Sequence, residues 1–328
     1  MLEHGGKLRE AAQRYGRTDW LDLSTGLNPT GYPAPTLATD AWHRLPENDP
    51  ALLQAAQRFY RAPRMLAVAG TQAAIQALPR LRAPSRVVVS SPSYAEHLHH
   101  WSQHGHHARA VPYSELGAAV PTADVLVVCN PNNPTGEIVP RAALLEWAEV
   151  LASRGGWLVV DEAFADTNGS HSVADATQTP GLIVLRSVGK FFGLAGLRLG
   201  FVAAHDSILE PLANMLGPWS VSGPAQQVAR AALEDKSWQH NALEHLQAAG
   251  VRLRALLQSH GIASHGTALF QWWPEPRAEE FHDHMARRGI WVRLFREAAR
   301  GIRLGLPPDG EGWQRLEQAL NEWKKEDR

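Results

Sequence analysis

Ser187-Val188-Gly189-Lys190-Phe191-Phe192-Gly193-Leu194-Ala195-Gly196-Leu197-Arg198-Leu199-Gly200 links two apolar runs, Leu182-Ile183-Val184-Leu185 and Leu199-Gly200-Phe201-Val202. Neither run alternates with polar residues, so each reads as a strand covered on both faces, and the glycine-rich string between them reads as a loop. That loop carries a hydroxyl, an amine and a guanidinium at Ser187, Lys190 and Arg198. A lysine used for imine chemistry needs such a loop, and an anionic cofactor needs the other two groups for charge-assisted hydrogen bonds.

Working outward, further runs of the same kind stand at Val87-Val88-Val89, Asp124 to Val128 and Trp157-Leu158-Val159-Val160, with helix-like segments such as Arg141 to Ser153 between them. This alternation predicts an α/β fold built on a large, mainly parallel sheet. After about residue 220 the pattern changes to long helical stretches, Ala225 to Glu234 and Trp238 to His260. Strand-like pieces follow around Leu269–Trp272, Ile290–Val292 and Ile302–Leu304. A last helix from Trp313 to Lys325 carries Trp313, Leu316, Leu320 and Trp323 on one face. Composition therefore suggests an amino-terminal arm over 1–40 belonging to a small α+β domain, a large domain over 41–220, and a linker helix with the rest of the small domain over 221–328. The arm is rich in Gly, Pro and Thr and shows no strong period.

The bulk numbers narrow the function. Basic and acidic side chains number 32 and 33, leaving a net charge of −1, so no polyanion-binding face is advertised and nucleic acid is not an expected partner. No stretch reaches the ~18 apolar residues of a membrane span, and Met1-Leu2-Glu3-His4-Gly5-Gly6-Lys7 lacks the apolar run of a signal peptide. A cytoplasmic protein is expected. Cys129 is the only cysteine, which rules out an intrachain disulfide.

Four more strings complete the chemistry. Val159-Val160-Asp161-Glu162-Ala163-Phe164 ends a strand in a carboxylate, which can keep a heteroaromatic ring nitrogen protonated by opposite-charge stabilisation. Asn130-Pro131-Asn132-Asn133-Pro134-Thr135-Gly136 is a turn that can aim the Asn133 amide at a ligand oxygen. Ala69-Gly70-Thr71-Gln72 is a strand-to-helix junction whose backbone amides suit an anion. Downstream, Ser91-Pro92-Ser93-Tyr94 puts an aromatic ring at a strand end.

Taken together, these strings resemble the fold-type I, aspartate-aminotransferase-like pyridoxal-5′-phosphate enzymes, in the branch containing histidinol-phosphate aminotransferases and threonine-phosphate decarboxylases. The resemblance implies pyridoxal 5′-phosphate as cofactor, Lys190 as its Schiff-base lysine, and Asp161 at the ring nitrogen. It further implies Tyr94 on the ring face, Asn133 and position 164 at the phenolic oxygen, and Gly70, Thr71, Gln72, Ser187 and Arg198 at the phosphate. Lys190, Asp161 and Tyr94 are the candidate catalytic residues. The chain departs from the pattern at Phe164, where many relatives carry tyrosine, and at Gly189, where many carry a hydroxyl. It departs again at Leu45 of Arg44-Leu45-Pro46, where many lend a tyrosine across the subunit boundary, and at Ser222, where an asparagine is expected. A homodimer is expected from the resemblance.

On the substrate side, Arg293 and Arg303 sit on neighbouring strand-like pieces and suit a doubly anionic ligand. His4-Gly5-Gly6 and the segment Asp22 to Pro29, with Asn28, resemble the arm of the cobalamin-pathway L-threonine-O-3-phosphate decarboxylases, which implies His4, Gly5 and Asn28 as substrate-binding. The expected reaction is decarboxylation of a small phosphorylated amino acid. A histidinol-phosphate-type aminotransferase and a non-catalytic sensor with the same fold are the alternatives, because the motifs serve decarboxylation and transamination alike. The histidines between His97 and His107 are read as a solvated helix end, and no metal is expected.

Overall fold

In the computed structural model, which describes residues 4–326, the apolar runs assemble into one seven-stranded sheet. Met1, Leu2 and Glu3, which entered the reading of the amino terminus, lie outside the described residues. The strand order is Met65–Val68, Gly200–Ala203, Leu182–Ser187, Trp157–Asp161, Val125–Cys129, Arg86–Ser91 and His107–Pro112. Gly200–Ala203 runs antiparallel to both of its neighbours, and every other pairing in the sheet is parallel. The central strands show why alternation was missing from the sequence: all five residues of Val125–Cys129 are buried, as are Leu182 to Leu185. Each such side chain contributes roughly 1.5–3 kcal/mol by leaving water.

The edge strand His107–Pro112 was not legible as a strand, because four of its six residues are exposed. Its apolar signal is correspondingly weak. Helix Leu8–Tyr15 was also unforeseen in the glycine-rich arm. It buries Ala11 and ends at Gly16, whose φ of 66° supplies the left-handed cap.

Contacts divide the chain into two compact units. The larger holds residues 32–133 and 137–241, and the smaller holds 1–31, 134–136 and 242–328. Composition had put the changes near 40 and 220; the helix Gly223–Glu234 packs with the larger unit, and the chain passes to the smaller one within the helix Lys236–Ser259.

The smaller unit has a four-stranded antiparallel sheet in the order Arg293–Phe295, Gly301–Gly305, Phe270–Trp273 and His265–Thr267. A short parallel pair joins Leu21–Asp22 to Ile290–Trp291. Its last helix, Gly310–Glu326, buries Trp313, Leu316, Leu320 and Trp323, as the spacing predicted. Phe281 stands edge-on to both Trp273 and Trp323, so these tryptophans are core. Among the described residues, no helix is long and apolar enough to cross a membrane.

Candidate active site

In an open parallel sheet, ligands bind where the strands end at their carboxyl edge. Here that edge gathers the residues assigned from sequence to the cofactor. Gly70, Thr71 and Gln72 follow the strand Met65–Val68, and Tyr94 follows Arg86–Ser91. Asn133 follows Val125–Cys129, and Asp161 and Phe164 come at the end of Trp157–Asp161. Ser187 and Lys190 come at the end of Leu182–Ser187, and Arg198 leads into the antiparallel strand at Gly200. All of them line one cavity of about 180 Å³.

Asp161 is buried in the lining of this cavity, and both of its carboxylate oxygens are held. Oδ1 accepts the Ala163 amide at 3.1 Å, and Oδ2 lies 2.9 Å from His97 Nε2. Burial alone would lower the His97 pKa, but the hydrogen bond to Asp161 and the Cys129 sulfur beside it outweigh that and raise it to about 10. The imidazole is therefore a cation at neutral pH, held against the Asp161 side chain. Sequence reasoning passed over His97 because it stood in a run of histidines. One signal could have found it: it lies three residues after Tyr94, in the first turn of the helix Ala95–Gln103, the turn nearest the strand ends.

The histidine run is thus not uniformly a solvated helix end. His104 and His107 are exposed, but His97 and His106 are 2% and 6% exposed. His106 packs edge-on to Trp101, with its ring nitrogens at the Ser85 amide and the Pro79 carbonyl. Their sequence neighbours look alike, and only the packing separates them. His97, Cys129 and Asp161 also bring ligand atoms within 4.8 Å of one another. In the described structure the His97–Asp161 contact is a hydrogen bond, and both Cys129 and Asp161 line the cavity.

In the same lining, Gly70 adopts φ +72°, and a Cβ there would lie 2.6 Å from Arg198 Nη2. The glycine thereby leaves room for the guanidinium. Arg198 itself has φ 53°, a conformation that costs a non-glycine residue about 1–3 kcal/mol and that clusters at functional sites. Its Nη1 donates to the Ala195 carbonyl at 3.0 Å. Ser187 Oγ accepts the Gly189 amide at 3.1 Å, and a Cβ on Gly189 would come within 3.2 Å of that oxygen and 3.3 Å of Ala195 Cα. A side chain at position 189 would thus crowd Ser187 and Ala195. At the departure Phe164, the buried ring lies 5.1 Å from Lys190 Nζ, within cation–π reach.

Strand alternation puts the neighbours of these groups on the far side of the sheet. Arg186, before Ser187, and Glu162, after Asp161, form a buried ion pair there, with Asp166 as a second carboxylate and the Tyr60 ring 4.5 Å from the guanidinium carbon. Glu162 also accepts Val173 N at 2.8 Å and Ser172 Oγ at 2.6 Å.

The residues expected to bind substrate, His4, Gly5, Asn28, Arg293 and Arg303, belong to the smaller unit. Arg293 and Arg303 are direct partners across the antiparallel pair. Arg303 is 5% exposed, donates from Nη2 to the Ser24 carbonyl at 2.7 Å and lies over the Phe270 ring. Burial, and then the Arg293 charge, lower its pKa to about 9. Gly5 packs so tightly that a Cβ would meet the Ser24 carbonyl at 2.5 Å. Asn28 is buried, and its Oδ1 accepts from Thr30 N and Thr30 Oγ1. Two cations concentrated on adjoining strands are electrostatically poised for an anion.

A sheet of this order with a lysine, a carboxylate and an anion-binding turn at its carboxyl edge defines a class. The chain belongs to the class I and II aminotransferase family, whose model matches residues 18–315, and its cofactor is pyridoxal 5′-phosphate. The cavity fits that group: an amine at Lys190, a held carboxylate at Asp161, and a glycine-cleared guanidinium at Arg198. The chain is 52% identical to a threonine-phosphate decarboxylase of Pseudomonas aeruginosa, over 99% of each chain. Its fold resembles that of a histidinol-phosphate aminotransferase from Sinorhizobium meliloti solved in complex with pyridoxal-5′-phosphate (TM-score 0.84, 22% identity, 98% of this chain and 95% of that one). It also resembles that of an L-threonine-O-3-phosphate decarboxylase from Porphyromonas gingivalis (TM-score 0.77, 20% identity, 92% and 99%).

Proposed function

We infer that the protein is a pyridoxal-phosphate-dependent carboxy-lyase that converts L-threonine O-3-phosphate to (R)-1-amino-2-propanol O-2-phosphate, a step of cobalamin biosynthesis. The observation that carries this reading is the 52% identity, sustained over 99% of both chains, with a threonine-phosphate decarboxylase. The cross-strand arginines agree with a substrate that bears both a carboxylate and a phosphate.

When bound, the cofactor supplies an electron sink for the pair released at Cα as CO₂ departs. The chain's own residues do the rest. Asp161, held by His97, would keep the proton on the pyridine nitrogen. Thr71, Ser187 and Arg198 would hold the cofactor phosphate, and Gly70 leaves room for the guanidinium. Asn133 is assigned to the phenolic oxygen and Tyr94 to the ring face. Lys190 would carry the cofactor, and its amine, once released and protonated, would supply the proton at Cα. Arg303 is assigned to the substrate carboxylate and Arg293 to its phosphate, with His4, Gly5 and Asn28 lining the phosphate end.

A homodimer and a cytoplasmic setting belong to the same reading. Trp42, Leu45 and Trp219 of the larger unit are 66%, 66% and 58% exposed, which supports a partner covering them. The reaction is tested by mixing the loaded enzyme with L-threonine phosphate and measuring CO₂ against amine formed in the presence of a keto acid. CO₂ release without need of a keto acid is expected. Turnover of histidinol phosphate with no CO₂ from threonine phosphate would overturn the reading in favour of an aminotransferase.

A further inference from the structure

We propose that Glu96, braced by His100, is a positioning residue for the cofactor cavity: it dictates which way the Gln72 amide faces, and through that amide it tethers the Tyr94 hydroxyl. The proposal rests on the reading of the cavity as the pyridoxal phosphate site.

Four groups from two helix starts form one connected network. Tyr94 immediately precedes the helix Ala95–Gln103, Glu96 lies in its first turn and His100 one turn later. Gln72 is the second residue of the helix Thr71–Ala77. Glu96 Oε2 accepts Gln72 Nε2 at 2.8 Å and lies 3.0 Å from His100 Nε2. The outer end is closed by His104, whose Nδ1 lies 2.8 Å from the His100 carbonyl. On the cavity side, Tyr94 Oη donates to Gln72 Oε1 at 3.2 Å.

The sense of these bonds follows from chemistry. A carboxylate in the first turn of a helix is favoured in its ionised form by the helix dipole. An ionised carboxylate only accepts, so it commands the NH₂ side of any amide facing it. With the nitrogen of Gln72 committed to Glu96, its oxygen must face Tyr94 and must accept. The Tyr94 proton is then engaged in the tether. Burial first, then the Glu96 and Asp161 charges, push the Tyr94 pKa well above the usual phenol value, so the phenol stays neutral. Tyr94 is accordingly a held aromatic wall, and proton movement at Cα falls to Lys190. If Glu96 is replaced by a neutral amide, both orientations of Gln72 become acceptable and the tether loses its fixed sense. The histidine run, unexplained by the reaction, thereby acquires a role at its His100 end.

The test uses the full chain loaded with pyridoxal phosphate, comparing wild type, Glu96→Gln, Tyr94→Phe and the double variant. Visible-range circular dichroism of the bound cofactor, cofactor dissociation, and kcat and KM for threonine phosphate are measured, with the thermal midpoint as a check on folding. Glu96→Gln is expected to weaken cofactor retention about tenfold, the scale of a lost charge-assisted hydrogen bond, and to diminish the dichroism. In the Tyr94→Phe background it should change neither, because the tether is already gone. Equal effects in both backgrounds, or no effect in either, would overturn the proposal. If Glu96→Gln fails to fold, His100→Ala and His100→Gln replace it: loss in the first and recovery in the second are expected, and equal loss in both counts against the brace. Absence of any visible dichroism in the wild type would instead count against the cofactor reading, so the two failures are distinct.

Discussion

His97 Nε2 lies 2.9 Å from Asp161 Oδ2, joining a helix to a strand end across 64 residues of sequence. This pair sets the charge in the lining of the cavity. His97→Asn should lower cofactor affinity about 10- to 100-fold, the range for a buried hydrogen bond between charged groups, measured by dissociation of pyridoxal phosphate. The pair also carries a pH signature. A histidine raised from 6.5 to about 10 contributes stability that is complete below pH 6.5 and is lost as pH climbs through about 10. The gap in thermal midpoint between wild type and His97→Asn should therefore narrow over that window, and a constant gap would contradict the imidazolium.

Phe164 places a ring, with no hydroxyl, 5.1 Å from Lys190 Nζ. The cation–π contact favours the protonated nitrogen, and a phenol donor that would compete for the cofactor oxygen is missing. In the loaded wild type, the nitrogen joining Lys190 to the cofactor should hold its proton to higher pH than in Phe164→Tyr. A shift of about one pH unit is expected in the visible absorbance titration. Superimposable titrations would refute the role given to this residue.

Arg303 and Arg293 share a cross-strand position in the smaller unit, and Arg303 is lowered from 12.5 to about 9. Because folding disfavours its charged form, a bound anion that restores the charge is held best below pH 9 and released above it. Binding of a small carboxylate such as acetate to the cofactor-loaded protein, followed by calorimetry, should weaken as pH rises through 9. Arg303→Met should raise KM for threonine phosphate at least about tenfold while leaving the bound cofactor's absorbance unchanged.

Behind the sheet, Arg186 is enclosed by Glu162, Asp166 and Tyr60. Arg186→Met leaves two buried carboxylates uncompensated and should cost about 3–5 kcal/mol in chemical denaturation. Burial raises Asp166 to about 6 against the pull of Arg186. A carboxylate raised in this way favours the fold most below pH 3.8 and loses that contribution as pH rises through 6. Asp166→Asn should therefore flatten the stability profile between pH 4 and 6, and an unchanged slope would contradict the assignment.

Much of this is legible in the sequence. Unalternating apolar runs mean strands covered on both faces, so Val125–Cys129 and Leu182–Ser187 declared a buried parallel sheet. The residues of the cavity were legible for a related reason: each sits in a short string at the end of such a run, and the fold collects run ends at one edge. The regular spacing of Trp313, Leu316, Leu320 and Trp323 likewise named the buried face of the last helix. Fold class and the cavity around Lys190 are properties of local strings, and sequence by itself determined them.

Pairing between distant segments was not available from that source. His97 and His104 stand in one run of histidines, yet one is buried against Asp161 and the other is exposed. Glu162 and Arg186 stand beside assigned residues, but only the pleat reveals that they point away from the cavity and meet behind it. The strand His107–Pro112 and the helix Leu8–Tyr15 bury too little apolar surface to leave a period in the chain. Tertiary structure alone decided which polar groups pair, because the desolvation and hydrogen-bond energies that select those pairs arise only once the segments are packed.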